Sequence, residues 1–260
     1  MTLADAAALT PQSAEPEAKL PAPNQQFPLR VPLMEGKQNL RLPMPLIITI
    51  GNLKGGVGKT TSAFFIACYF ALVYGLRVLV IDSDPLSQTG YSWYRAIVKA
   101  GMSWPFKLIP FPSKHVGDCI DDNSASGDYD VIIVDTGGES DEIFKAAVRK
   151  SHELIIAAAP TEGELERIPS SFVAAAEAAQ GVPQEIRVRV LLTKVPPPQS
   201  KEGPDARVQL DEAGYDVFEA QATNWKWYRQ AVKTTNPMDD LSEYEDIGDE
   251  LVIEYIADAA

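Results

Sequence analysis

Residues 54 to 61 read Lys-Gly-Gly-Val-Gly-Lys-Thr-Thr, directly after the apolar, β-branched stretch Leu46 to Ile50 and before the helix-like segment Ser62 to Tyr74. A strand that turns through several glycines straight into a helix leaves few folds open. Gly55, Gly56 and Gly58 let the backbone bend tightly enough for successive N–H groups to point inward as an anion cradle. The helix that begins near Thr60 adds the positive end of its dipole. A phosphate chain suits such a cradle, with Lys59 as the cation for β- and γ-phosphates and the Thr60 hydroxyl as a Mg²⁺ ligand. Val57 and Thr61 complete the set of expected nucleotide-contacting positions. The general pattern Gly-x-x-x-x-Gly-Lys-Thr would place its first glycine at position 53, which is leucine. The loop is therefore a deviant form, marked by an extra lysine, Lys54.

From Leu46 onward, apolar runs alternate with helix-like segments, which predicts an α/β fold: a mostly parallel twisted sheet with helices on both faces. Strands are expected at 46–51, 77–82, 107–111, 131–135, 153–158, 187–192 and 217–220. Helices are expected at 60–74, 88–100, 141–150, 168–179, 205–213 and 225–233. An apolar content of 45% with 23% charged residues supports one well-buried domain and excludes a wholly disordered chain. No apolar run is long enough to span a bilayer, and the N-terminus lacks the basic-then-apolar order of a secretory signal. Cys68 and Cys119 do not make a disulfide framework, so a cytoplasmic protein is expected.

The ends differ in character from the middle. Residues 1–45 carry eight of the twenty prolines and read as a flexible leader. Residues 239–260 hold nine acids and no base, and read as an acidic C-terminal tail. Most of the net charge of −13 sits there, leaving the span 46–238 close to neutral. That argues against a DNA-binding tail and leaves the central domain unconstrained.

The motif Lys54-Gly-Gly-x-Gly-Lys-Thr-Thr61 resembles the deviant Walker A loop of the ParA/MinD family of dimeric ATPases, most closely the short ParA type that serves plasmid partition. The resemblance covers residues 46–238 and implies a P-loop NTPase of the deviant Walker A type, with ATP and Mg²⁺ as cofactors. It implies that Lys54 reaches across a homodimer interface to the nucleotide of the partner subunit when ATP is bound, and that Lys54, Lys59 and Asp84 carry the catalysis.

Three acids complete the expected site. The second strand ends Asp82-Ser-Asp84-Pro85, similar to the family's Walker A′ element. The resemblance implies that Asp84 positions the attacking water and that Asp82 supports the Mg²⁺ shell. Leu86 stands where the family commonly has glutamine. The strand Val131-Ile-Ile-Val-Asp135 has the Walker B form, so Asp135 is expected to hold Mg²⁺ through a water. Gly137 and Gly138 could bring N–H groups near the γ-phosphate as a nucleotide-sensing switch. Pro160 and Thr193, at two later strand ends, are expected to approach the adenosine. Nitrogenase iron proteins share the two-lysine loop but need a cluster-binding cysteine, and 136–138 read Thr-Gly-Gly.

Three uses of such an ATPase are consistent with the sequence. The expected one is DNA segregation: an ATP-bound sandwich dimer that binds DNA nonspecifically, associates with the nucleoid, and is released when a centromere-binding ParB/ParG-like partner stimulates hydrolysis. Lys226, Arg229 and Lys233, at i, i+3 and i+7, would form a basic stripe for DNA on the helix 225–233. Lys145, Arg149 and Lys150 are a second candidate patch. The alternative is a MinD-like membrane or protein-cargo positioning ATPase; the acidic C-terminal segment disfavours its membrane form alone, so no stable membrane association is expected. A bacterial tyrosine kinase would use Tyr244 and Tyr255 of that segment.

Overall fold

The computed structural model describes residues 41–138, 140–197 and 199–256, and of Arg229 the backbone alone. Its centre is a six-stranded sheet in the order β3-β2-β4-β1-β5-β6. The strands are β1 (Leu46–Gly51), β2 (Val78–Asp82), β3 (Lys107–Pro110), β4 (Val131–Asp135), β5 (Glu153–Ala158) and β6 (Arg187–Leu192), and every pairing is parallel. The central strands are almost wholly apolar because both faces are covered, with Thr49 of β1 hydrogen-bonded to Ser151. Ile48, Ile50, Val80, Ile133 and Ile155 point into one core, while Ile47, Leu79, Ile132, Val134, Leu154 and Ile156 point into the packing on the other side. Each such side chain contributes about 2 kcal/mol relative to exposure.

Helices follow most strands: α1 (Lys59–Val73), α2 (Thr89–Lys99), α3 (Val116–Ala125), α4 (Asp141–Val148), α5 (Glu162–Leu165), α6 (Ile168–Ala179), α7 (Glu202–Glu212), α8 (Lys226–Arg229), α9 (Asn236–Asp239) and α10 (Tyr244–Tyr255). Ser140 caps α4, its hydroxyl accepting the Ile143 N–H, and Pro169 sits in the first turn of α6 where no N–H is missed.

Helix α1 is buried at every position from Ser62 to Phe70. A helix apolar all round needs cover on two sides. The sheet supplies one side, and α10 supplies the other. Gly248 of α10 lies so close to Tyr69 that a Cβ there would meet the ring at 2.3 Å. Tyr244 stacks on Phe65 at 4.8 Å between centroids, and its hydroxyl and that of Ser62 share a hydrogen bond of 2.8 Å. At the far end Tyr255 hydrogen-bonds Glu153, which is also paired with the buried Arg189 at 2.7 Å.

Several expectations are corrected by this arrangement. Residues 244–255 are not a solvated acidic tail: Ile247, Leu251, Val252 and Tyr255 face the core, and the acids lie mainly on the outside. The helix expected at 225–233 shrinks to α8, and Lys233 lies beyond it with φ 69. Lys226, Arg229 and Lys233 therefore do not share a helical face. The strand expected at 217–220 makes only single bridges, Val217 to Val190 and, further on, Thr223 to Val195. Side chains satisfy its backbone instead: Glu250 accepts the N–H groups of Glu219 and Ala220, and Arg207 donates to the carbonyls of Phe218 and Glu219. Helix α3 was unforeseen. The leader expectation for 1–40 lies outside the described residues; beside it, Leu42 is buried and its N–H reaches Asp130 at 3.3 Å.

Candidate functional site

The carboxyl ends of β1, β2 and β4 lie side by side, with Ile50 and Asp82 both in register with Asp135. This is where parallel α/β sheets bind ligands. The loop after β1 is fixed from behind. Asn52 donates to the Ala157 carbonyl at 2.8 Å, the Thr193 hydroxyl to the Val57 carbonyl at 2.7 Å, Lys194 to the Gly56 carbonyl, and the Lys59 ammonium to the Lys54 carbonyl at 2.5 Å. These bonds engage the carbonyls of Lys54, Gly56 and Val57 and fix the loop in front of α1. Gly56 and Gly58 take φ of 81 and 88, which side-chain-bearing residues adopt only with strain.

That cavity has a volume of about 500 Å³. Gly55, Gly56, Gly58, Lys59, Thr60, Thr61, Asp84 and Thr193 line it. Val57 is buried behind the loop, Asp82 and Asp135 lie beneath it, and Pro160 is buried away from it. Lys54 turns aside, its ammonium 2.5 Å from Glu164 of α5. Lys226 and Lys233 are exposed and outside the cavity. In the second basic patch, Lys145 is neutralised by Asp141 and Glu177 and Lys150 by Asp121.

The charges are arranged in depth. Burial lowers the Lys59 pKa, against the attraction of Asp135, Asp84 and Glu164. Asp135 is 2% exposed; burial and repulsion from Asp82 push its carboxyl up to about 7, against the pull of the Thr60 hydroxyl and Lys59. Its Oδ2 has no hydrogen-bond partner. A buried carboxylate oxygen left unpaired next to a threonine hydroxyl fits a divalent cation and its water shell. Asp82 is raised by burial, although both its oxygens accept backbone N–H groups, Oδ1 from Asp84 at 3.2 Å and Oδ2 from Tyr91 at 2.7 Å. Burial would also raise Asp84, but the Ser87 hydroxyl, the N–H groups of Leu86 and Ser87, and Lys59 outweigh it and hold the carboxyl below its ordinary value.

The turn after β4 touches both neighbours. A Cβ on Gly138 would lie 2.3 Å from the Lys54 carbonyl carbon, and one on Gly137 would lie 2.9 Å from Asp84 Oδ1. At Gly138 only glycine fits, because the obstacle is the Lys54–Gly55 backbone; at Gly137 the Asp84 carboxylate would have to shift, so the turn is packed against both loops.

The remaining wall was not read from the sequence. Ala222, Thr223, Asn224, Tyr228, Val232 and Tyr244 close the cavity opposite the loop. Glu243 binds this wall together, accepting from the Trp225 indole at 2.8 Å and the Tyr228 hydroxyl at 2.5 Å. Tyr228 and Val232 fall in the stretch where a helix was expected, and Tyr244 opens α10, but no local pattern ties any of them to a nucleotide cavity.

A parallel sheet with a glycine loop between β1 and α1, a buried lysine and carboxylates at two neighbouring strand ends defines a P-loop nucleotide-binding protein of the deviant Walker A type. Residues 46–100 match the AAA domain family model. Over 188 residues, 72% of this chain, it is 30% identical to the Maintenance of carboxysome distribution protein A of Gloeobacter kilaueensis, spanning 81% of that protein. The chain belongs to the ParA/MinD family of deviant Walker A ATPases. It is also 55% identical over 38 residues, 15% of each chain, to the chromosome-partitioning ATPase Soj of Thermus thermophilus. Among solved structures, an ATP complex of a McdA variant from Cyanothece superposes with TM-score 0.62 at 18% identity, covering 84% of this chain and 99% of that one. At that identity the likeness is one of fold.

Proposed function

We propose that this chain is an ATP-driven positioning ATPase: it binds Mg·ATP, dimerises around it, hydrolyses it slowly under the control of a partner protein, and in its ATP-bound state holds to DNA nonspecifically. The observation that carries the reading is the unpartnered buried oxygen of Asp135, beside Thr60 and below Lys59, at the mouth of a glycine loop with its carbonyls tied back. ATP with Mg²⁺ meets every unsatisfied group there.

Each residue then has a physical task. The N–H groups of Gly55 to Thr61 and the Lys59 ammonium bind and orient the phosphates. Thr60 and Asp135 would hold Mg²⁺, which supplies charge neutralisation between the phosphates when bound. Asp82 acts on that cation through its charge, since its oxygens are engaged by backbone. Asp84 stays ionised at neutral pH, which suits it to orient a water by accepting its hydrogen rather than to retain a proton. Gly137 and Gly138 couple the phosphate end to the loops of Lys54 and Asp84. Lys54, in this reading, serves the partner subunit's nucleotide.

The relative named for carboxysome distribution supports a protein assembly as cargo, and the one named for chromosome partitioning supports DNA. A ParB-like or other partner that stimulates hydrolysis fits both. The tyrosine-kinase alternative loses its motivation, because Tyr244 and Tyr255 are 2% and 6% exposed and hydrogen-bonded within the core. The membrane alternative weakens likewise, because the apolar face of α10 is spent on α1.

Isothermal titration with ATP, with and without Mg²⁺, followed by sedimentation of the protein with each nucleotide, tests the reading. Binding that needs both Lys59 and Mg²⁺, with dimers formed only with ATP, is expected. Undiminished ATP affinity in Lys59→Ala would refute it.

A further inference from the structure

The nucleotide cavity has two unlike ends. The loop end carries a cation and hydroxyls, in Lys59, Thr60 and Thr61, whereas the opposite wall of Ala222, Thr223, Asn224, Tyr228, Val232 and Tyr244 carries no charged side chain. Both tyrosine hydroxyls of that wall are already engaged, Tyr244 with Ser62 at 2.8 Å and Tyr228 with Glu243 at 2.5 Å. A wall of rings, short apolar groups and one amide suits a nucleoside rather than a phosphate chain.

That wall cannot hold itself in place. Its start is tied to the end of β6, where the Ala222 N–H donates to the Leu192 carbonyl at 2.9 Å and the Asn224 N–H to the Val195 carbonyl at 2.6 Å. Beyond its far end, the Trp93 indole donates to the Thr234 carbonyl at 2.8 Å. Between these ties lies α8, a single turn of four residues, too short to persist on its own hydrogen bonds. Trp225 and Tyr228, three residues apart, both aim their donors at Glu243: the indole at Oε1, 2.8 Å away, and the hydroxyl at Oε2, 2.5 Å away. One carboxylate thus fixes the turn about its own axis, while Phe65 of α1 packs against the Tyr228 ring at 5.1 Å.

Glu243 is itself firmly set. It is the N-terminal cap residue of α10, so its backbone is carried by the helix packed on α1. Seven residues on, Glu250 of the same helix accepts the N–H groups of Glu219 and Ala220, just ahead of the wall, at 3.1 and 2.8 Å. Burial would raise the Glu243 carboxyl, but the Tyr228 hydroxyl, the Trp225 indole, its own N–H and the Ser242 hydroxyl outweigh it and hold the group below its ordinary value. An ionised acceptor makes the stronger bonds.

We propose that Glu243 is a positioning residue for the nucleoside half of the bound nucleotide, holding Trp225 and Tyr228 so that the wall opposite the glycine loop keeps its shape. Glu243 does not itself line the cavity and acts through the residues it holds. The proposal rests on the reading of this cavity as a nucleotide site, and it divides the labour within it. The loop and Lys59 take the phosphates, while the last helix of the chain sets the wall that meets base and ribose. Glu243 should therefore matter for ATP and not for a phosphate chain alone.

The test compares Mg·ATP with Mg·tripolyphosphate, which has the phosphates and no nucleoside, by isothermal titration into the full chain. Wild type should bind both, and ATP more tightly. Glu243→Ala, which removes both acceptors, should bind ATP about tenfold more weakly and tripolyphosphate as wild type does. Glu243→Gln should recover most of the ATP affinity, because an amide can accept from the Trp225 indole through its oxygen and donate to the Tyr228 oxygen through its nitrogen. Equal losses for the two ligands in Glu243→Ala would mark a general loosening of the fold and overturn the proposal, as would an unchanged ATP affinity. If Glu243→Ala does not fold, Trp225→Phe and Tyr228→Phe delete the two bonds singly. Each should weaken ATP by about threefold and leave tripolyphosphate alone, and no change in either variant would overturn the proposal. Wild type that binds neither ligand would sink the nucleotide reading itself, whereas wild type that binds both, with Glu243→Ala unchanged, would sink this proposal alone.

Discussion

The ammonium of Lys54 lies 2.5 Å from a carboxylate oxygen of Glu164, on the short helix that follows β5 of the same chain. The Lys54 carbonyl meanwhile accepts from Lys59. The lysine proposed to serve a partner's nucleotide is thus held in its own subunit, by an acid whose second oxygen is buried and unpartnered.

Releasing that lysine should favour the dimer. A partly exposed pair of this kind is worth about 0.5–1 kcal/mol and each subunit of the dimer would release one, so Glu164→Gln should lower the protein concentration for half-dimerisation with ATP by about fivefold to thirtyfold. Sedimentation velocity across a dilution series reads this directly. A weaker dimer would mean instead that Glu164 holds Lys54 in its productive place.

Removing the metal site should separate binding from chemistry. Asp135→Asn replaces the buried carboxylate by a neutral group of the same shape, and its ATP affinity should no longer respond to Mg²⁺ or to chelation by EDTA. Asp84→Ala should still bind Mg·ATP and dimerise, with turnover lowered by about 100-fold or more. Wild-type turnover in Asp84→Ala would remove that residue from the mechanism.

Gly248 should tolerate no side chain. Its Cβ would enter the Tyr69 ring, so Gly248→Ala should cost about 1–3 kcal/mol, read as a lower urea midpoint at unchanged slope. A neutral result would mean that α10 can lift from α1 without loss.

Acid should weaken the fold through His152. Its Nδ1 accepts the Ile47 N–H at 3.0 Å, and burial depresses its pKa from 6.5 to about 4. The unfolded chain therefore binds the extra proton first. The stabilisation from neutral His152 is complete above pH 6.5 and is lost as pH falls toward 4, by up to about 1.4 kcal/mol per pH unit. In His152→Gln that part of the slope should disappear from urea midpoints measured across this window.

Legibility in the sequence followed distance along the chain. The glycine loop, Asp82, Asp84 and Asp135 stand at strand ends, and each is marked by its immediate neighbours. Helix α10 carries a helical signal as well, in Tyr244, Ile247, Leu251, Val252 and Tyr255, but the nine acids spread over 239–260 mask it as an acidic tail. In α3 the spacing of Val116, Cys119 and Ile120 was present but was overshadowed by Asp121, Asp122 and Asn123. The cavity wall from Ala222 to Val232 is different in kind. Its helical pattern at 225–233 is legible, but its place as a cavity wall is set by Glu243, by the Thr223–Val195 bridge and by the Ala222 N–H on the Leu192 carbonyl, contacts between residues far apart in sequence.

The order in which the chain is made gives the α1–α10 contact a further consequence. Helix α1 is synthesised early and is greasy on every side, while its second cover comes some 170 residues later. At about 5–20 residues per second, a nascent chain carries that uncovered surface for roughly ten seconds or more. Any product cut short before residue 244 would keep it exposed for good. Such fragments should be captured by chaperones or aggregate, so the surface laid down with α1 depends for its cover on a helix made far later in the chain.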